Sequence, residues 1–196
     1  QTEILFWNDF GNQGGQSEWY YALGRLGVDY DIYYTNGPSS GVGNGLGGRA
    51  TPLQLSGYET ILYSSGDLSL FTLSNGDYQE DPSNDVYLLD SWLQTGNKNL
   101  LLAGDNIVSD LMSSGSNSES FVSTWLSLNF LGNNIRLLID NQTSPQVIPI
   151  PGNPISNSSF VAYGGCPFAT FDIVEPMASA QRIAEFTAPD SSAGAY

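Results

Sequence analysis

The chain has no histidine, one cysteine, and only five lysine and arginine residues in 196. Each shortage closes a route. Without histidine a Ser-His or Cys-His nucleophile is ruled out, because no imidazole is present to take the hydroxyl or thiol proton. Cys166 alone cannot form an internal disulfide, so cysteine usage does not point to an oxidising compartment. Five cations against twenty Asp and Glu give a formal charge of −15. Nucleic acid and anionic membrane are poor partners for such a chain, since both are held through cationic contacts. No apolar run approaches the roughly 20 residues that cross a bilayer as a helix. The chain also does not open on a charged n-region followed by an apolar one.

What is present describes a folded protein. Hydrophobic residues make up 40% and aromatic residues 12% of the chain, and its length fits one domain with a real core. Charged residues reach only 13%, so Asn, Ser, Thr, Gln and Gly supply much of the solubility. That profile is more usual in exported proteins, and it predicts a secreted or cell-surface location; if Gln1 follows a removed signal peptide, the sequence is the mature form. Asn141-Gln142-Thr143 and Asn157-Ser158-Ser159 match the glycosylation acceptor pattern.

Three apolar runs end on aspartate: Ile4 to Asp9, Ile61 to Asp67 and Leu100 to Asp105. Read as neighbouring parallel strands, they line up three carboxylates along the sheet edge where open α/β folds bind ligands. Between the first two runs the sequence predicts a helix capped by Ser17 and closed by Gly27, then a strand over 31–35. Such a strand–helix–strand unit requires a parallel sheet. The glycine-rich stretch 36–53 reads as a long loop. Ser83 or Asn84 opens a helix closed by Gly96, a strand follows over 98–103, and Ile107 to Met112 suggests a short helix. Helical spacing runs from Ser118 to Phe130. Beyond Asn133 the character changes: Ile135 to Ile139 reads as a strand, Pro145, Pro149, Pro151 and Pro154 break any pattern, and Phe160 to Ala162 and Phe171 to Val174 read as short strands.

Leu100 to Asn106 has the layout of a nucleophile elbow, a buried strand leading through a glycine turn into a helix. The position that carries Ser or Cys in such enzymes is Asp105, for which capping of the following helix is the simpler reading. Asp9, Asp67 and Asp105, with Asn8 and Asn106, form a candidate Ca²⁺ site, because this cation takes 6–8 oxygen ligands. Ordinary turn chemistry is the competing account. Asp77, Glu80, Asp81 and Asp85 form a second candidate cation cluster, for which a solvated loop is the simpler reading. Gly43 to Arg49 lacks the phosphate-binding Lys-Ser/Thr, and Gly11 to Gly15 lacks the dinucleotide spacing, so both read as structural loops. Cys166 has no evident activating base. Paired-carboxylate glycoside hydrolysis stays open on composition.

Pro38 to Ala50, Gly57 to Asp67, Leu89 to Trp92 and Leu100 to Leu111 together resemble a domain of large secreted bacterial proteins. That domain is related to the class I glutamine amidotransferase-like, flavodoxin-like fold. The resemblance spans roughly residues 3–130 and implies a three-layer α/β/α sandwich. It also implies loss of the triad, since the elbow cysteine is matched by Asp105 and the histidine has no counterpart. The expectation is therefore one α/β domain over 1–196, with a mostly parallel flavodoxin-like sheet and a core over about 3–140. A Pro-rich excursion covers about 141–187, and a polar tail 188–196. The expected role is a non-catalytic structural or binding module of an extracellular or cell-surface assembly, steadied by Ca²⁺. Its expected partners are other domains of a longer polypeptide or neighbouring subunits, including copies of itself. The alternatives are a secreted carboxylate- or metal-dependent hydrolase of glycan or peptide, and a self-assembling filament or lattice subunit.

Overall fold

The computed structural model describes residues 2–9, 15–35, 45–76, 83–135, 146–154, 158–161 and 171–187. The chain divides into two compact units, Gln1–Trp125 and Leu126–Tyr196; the sequence reading had one domain with its change of character after Asn133.

In the first unit the order is β1 (Ile4–Asn8), α1 (Gln16–Leu26), β2 (Asp31–Tyr34), α2 (Pro52–Leu55), β3 (Thr60–Gly66), α3 (Asp85–Leu93), β4 (Asn99–Gly104), α4 (Ile107–Ser113) and α5 (Ser116–Phe121). The strands form one sheet in the order β2-β1-β3-β4, and every pairing is parallel. The protein is thus an α/β structure in which helices flank a four-stranded parallel sheet, a flavodoxin-like sandwich.

Alternation along the strands sorts side chains onto two buried faces. On one, Phe6 and Leu23 pack with Trp19, Tyr20, Val28, Tyr30, Ile32 and Leu62, which docks α1 on the sheet. Phe6 meets the Tyr20 ring edge-on, with 6.1 Å between centroids. On the other face Trp7 lies edge-on to Tyr63 at 4.8 Å, and neither ring is exposed. This β1 is apolar on both faces, as a central parallel strand should be.

Gly27 closes α1 in the left-handed conformation, φ 64°, as expected. The start differs: the helix opens at Gln16 behind Gly15, and the Ser17 hydroxyl donates to Glu18 instead of capping. The last part of the presumed loop 36–53 is ordered by local chemistry. Thr51 and Gln54 form a reciprocal capping box with Pro52 in the first turn, which nucleates the four-residue α2. The helical spacing over 118–130 also resolves differently. After α5 comes a wide π-helical turn, Val122–Leu126, then Ser127 at φ 52°, and the chain leaves as a strand.

The second unit holds β5 (Leu128–Gly132), β6 (Gln146–Pro149), β7 (Phe160–Val161), β8 (Ile173–Pro176) and β9 (Ala184–Thr187). β5 pairs with β8, and β6 lies between β7 and β9, all antiparallel. Ile135 is buried against Phe171, Ile173 and Phe186. The expected strand 135–139 falls outside the described residues after Ile135, as do Cys166, Asn141, Asn157, Asp77, Glu80 and Asp81.

Candidate functional site: the carboxyl edge of the parallel sheet

All four parallel strands deliver their last residues to one edge. Backbone bonds tie those ends together: Asp9 N–H donates to Ser64 O at 2.9 Å, Thr35 N–H to Asn8 O at 3.0 Å, and Asp105 N–H to Gly66 O at 3.3 Å. A register shift between Ser64 and Gly66 lets the end of β3 turn out of the pleat.

The three candidate aspartates share this edge but not one environment. Asp9 is turned inward, 1% exposed, and its Oδ2 accepts a 2.6 Å hydrogen bond from the Tyr63 hydroxyl. Asp67 is exposed in the turn after β3, and Asp105 is half-buried. Among the described residues no group of three or more His, Cys, Asp or Glu side chains is placed to hold a metal ion. Asp105 is also not the helix cap, because that position before α4 is held by Asn106.

Two other aspartates, Asp85 from the presumed solvated loop and Asp110 from α4, are buried instead. Asp85 is fully buried; its Oδ1 accepts from Gly47 N–H at 2.6 Å and its Oδ2 from Ser74 N–H at 3.1 Å. The solvated-loop reading fails for it because Asn84 caps α3, accepting from Tyr87 N–H, and Asp85 is then free to point inward. Gly47 shows why this loop is glycine-rich. A Cβ there would lie 2.3 Å from the Asn84 carbonyl group, so only glycine lets its N–H reach Asp85. Asp110 accepts from both the backbone N–H and the hydroxyl of Thr72, each at 2.8 Å. Burial pushes the Asp110 carboxyl above its ordinary range, and the Thr72 bonds oppose that. The available signal was helical spacing, since Asp110 lies three residues after the buried Ile107.

Tyr63 sits among these acids. Burial, then the charge and hydrogen bond of Asp9, then the charges of Asp85 and Asp110 hold its phenol well above the ordinary tyrosine range. A phenol that keeps its proton is a donor, not a base. The pair is therefore suited to holding β1 and β3 together.

On the α1 face the edge is neutral. Trp19 Nε1 donates to Ser64 Oγ at 3.0 Å. The Asn8 side-chain amide reaches Tyr20 OH at 3.4 Å, and the Tyr20 and Tyr34 hydroxyls meet at 3.0 Å. That contact with Tyr20 raises the Tyr34 phenol. Two polar atoms here have no hydrogen-bond partner among the described residues: Asn8 Oδ1 at the end of β1 and Ser65 Oγ near the end of β3. Both side chains are fully buried.

No protein-family model matches the sequence, and no curated protein matches it. A solved structure is similar: a cytoplasmic protein from Salmonella typhimurium LT2. It superposes with a TM-score of 0.55 over 93% of this chain and 79% of that chain, at 13% sequence identity. At that identity the likeness shows the fold. It also corrects the location expected from composition, because the structure that shares this fold is described as a cytoplasmic protein. The extracellular module, and with it the secreted hydrolase and the self-assembling filament or lattice subunit, is not retained.

Proposed function

We propose that the parallel-sheet unit recognises a small uncharged polar ligand at the carboxyl ends of β1 and β3, without covalent chemistry. The observation that carries this reading is the Asn8 side-chain oxygen, buried and without a hydrogen-bond partner. Such an atom costs about 1–3 kcal/mol when nothing bonds to it, so a donor from outside the fold is a natural complement. In the order β2-β1-β3-β4 the connections reverse direction between β1 and β3, and open α/β sheets bind ligands at that switch point. The exposed Asp67 and half-buried Asp105 nearby disfavour an anion. The neutral Tyr20, Tyr34 and Ser64 hydroxyls favour a ligand that both donates and accepts hydrogen bonds.

The amidotransferase-like relationship belongs to the same proposal. Asp105 follows a strand and a glycine and precedes α4, as an elbow residue would, and its backbone N–H is tied to β3. The reading keeps the family's layout and replaces its chemistry by recognition.

The test is a titration of isotope-labelled protein with acetamide, glycerol, myo-inositol and uridine, following the side-chain amide signal of Asn8. Saturable shifts at Asn8 with at least one of these, accompanied by a shift of the neighbouring Trp19 indole N–H that is lost in Asn8→Leu, support the reading. Signals that do not move with any of the four overturn it.

A further inference from the structure

A second opening lies away from the sheet edge. It is a cleft of about 290 Å³ between α3 and the α5–π-turn segment, with Tyr87, Asp90, Asn117, Ser120, Phe121 and Thr124 in its lining. The volume equals that of about ten waters in the liquid, room for one six-membered sugar ring and its hydroxyls. Tyr87 is 61% exposed although it stands on a helix that is otherwise largely buried, so an aromatic face is left at the mouth. Phe121, buried below, gives the cleft an apolar floor.

Most of the polar groups are neutral, and one is a carboxylate. Asn117, Ser120 and Thr124 supply neutral amide and hydroxyl groups. Asp90 is held in place from two sides, accepting from Trp125 Nε1 on Oδ1 and from Gln94 Nε2 on Oδ2, both at 2.7 Å. A carboxylate so braced is a pre-oriented acceptor. It also repels anions. An apolar ligand would cover the Asn117, Ser120 and Thr124 side chains without compensation. What fits is a neutral molecule with hydroxyls around its rim and an apolar C–H face. The π-helical turn adds an independent indication, since such turns occur often at functional sites; here it presents Thr124 to the cleft and Trp125 to Asp90.

We infer that the α3–α5 cleft binds a pyranose ring, stacked on Tyr87 and hydrogen-bonded through Asp90 and the Asn117, Ser120 and Thr124 side chains. This site is separate from the carboxyl edge and has its own reporter, the Trp125 indole N–H on Asp90.

The test follows that indole signal in the intact chain as methyl β-D-glucopyranoside, methyl β-D-galactopyranoside and methyl α-D-mannopyranoside are added. Glycerol serves as hydroxyls without a ring face, and cyclohexanol as a ring face with a single hydroxyl. A saturable shift with at least one pyranoside and neither control is expected. Tyr87→Ala should weaken it by about tenfold or more, the loss of one stacking contact, and Tyr87→Phe should keep it. Thr124→Val supplies a second, exposed substitution that should weaken binding without disturbing the fold. No saturable shift with any pyranoside, an equal response to glycerol, or a response that survives both Tyr87→Ala and Thr124→Val overturns the assignment. A silent Trp125 beside a responding Asn8 removes this site alone, and the reverse removes only the sheet-edge reading.

Discussion

The Tyr63 hydroxyl donates a 2.6 Å hydrogen bond to the Asp9 carboxylate, joining the end of β1 to the middle of β3 beneath the carboxyl edge of the sheet. Both side chains are buried, so the bond forms where water cannot replace it. Tyr63→Phe keeps the ring against Trp7 and removes only this donor from a buried acceptor. The expected loss is about 1–3 kcal/mol, read as a lower urea midpoint at unchanged slope. An unchanged midpoint would mean that Asp9 is satisfied without Tyr63.

Alkaline pH should weaken the fold through two tyrosines. Burial and the 2.8 Å bond to Asp31 push Tyr58 up to about 12, and Tyr63 is held well above its ordinary range by burial and Asp9. The unfolded chain releases both phenolic protons near about 10. Above that pH the native state binds more protons than the unfolded one, so stability falls as pH rises. Their contribution is complete below about 10 and is lost progressively through about 12 and beyond. Urea midpoints measured across this range should decline, and the decline should be shallower in Tyr63→Phe. Equal slopes in the two proteins would contradict the assignment of Tyr63.

Two glycines should respond in opposite directions. At Gly47 a methyl group would lie 2.3 Å from the Asn84 backbone, and the loop would have to leave Asp85. Gly47→Ala should cost about 1–3 kcal/mol or more. Gly24 lies inside α1 with nothing within 4 Å of the position a Cβ would take. Gly24→Ala should raise stability by about 0.4–1 kcal/mol through the entropy of the unfolded chain. Thermal unfolding of the two variants checks both signs.

The sheet was legible because parallel strands announce themselves: Ile4 to Asn8, Thr60 to Gly66 and Asn99 to Gly104 are short apolar runs with turn residues after them. The edge they define was also legible, and so was the absence of a histidine-based nucleophile. The inside of the edge was not. Nothing local distinguishes Asp9, which meets Tyr63 from 54 residues away, from Asp67, which remains in solvent. Asp85 was read with its polar neighbours, yet its burial depends on Gly47, 38 residues distant. Ser118 to Phe130 carried helical spacing, but Ser127 in the left-handed conformation ends the helix, and strand pairing with residues near 174 takes over. In each case a long-range partner decided the outcome.

The central claim is that Asn8 is kept polar for a ligand and not for the fold. Chemical denaturation of Asn8→Leu in the ligand-free protein tests this most directly. Leucine keeps the branching of asparagine; it removes a buried oxygen that has no partner among the described residues and gives up the long 3.4 Å contact of the side-chain amide with Tyr20 OH. The account predicts that the variant is more stable than the natural protein, by about 1 kcal/mol or more, as expected where a binding site is maintained at a cost in stability. A variant that is less stable would show that the fold itself satisfies Asn8, and the sheet-edge site would fall.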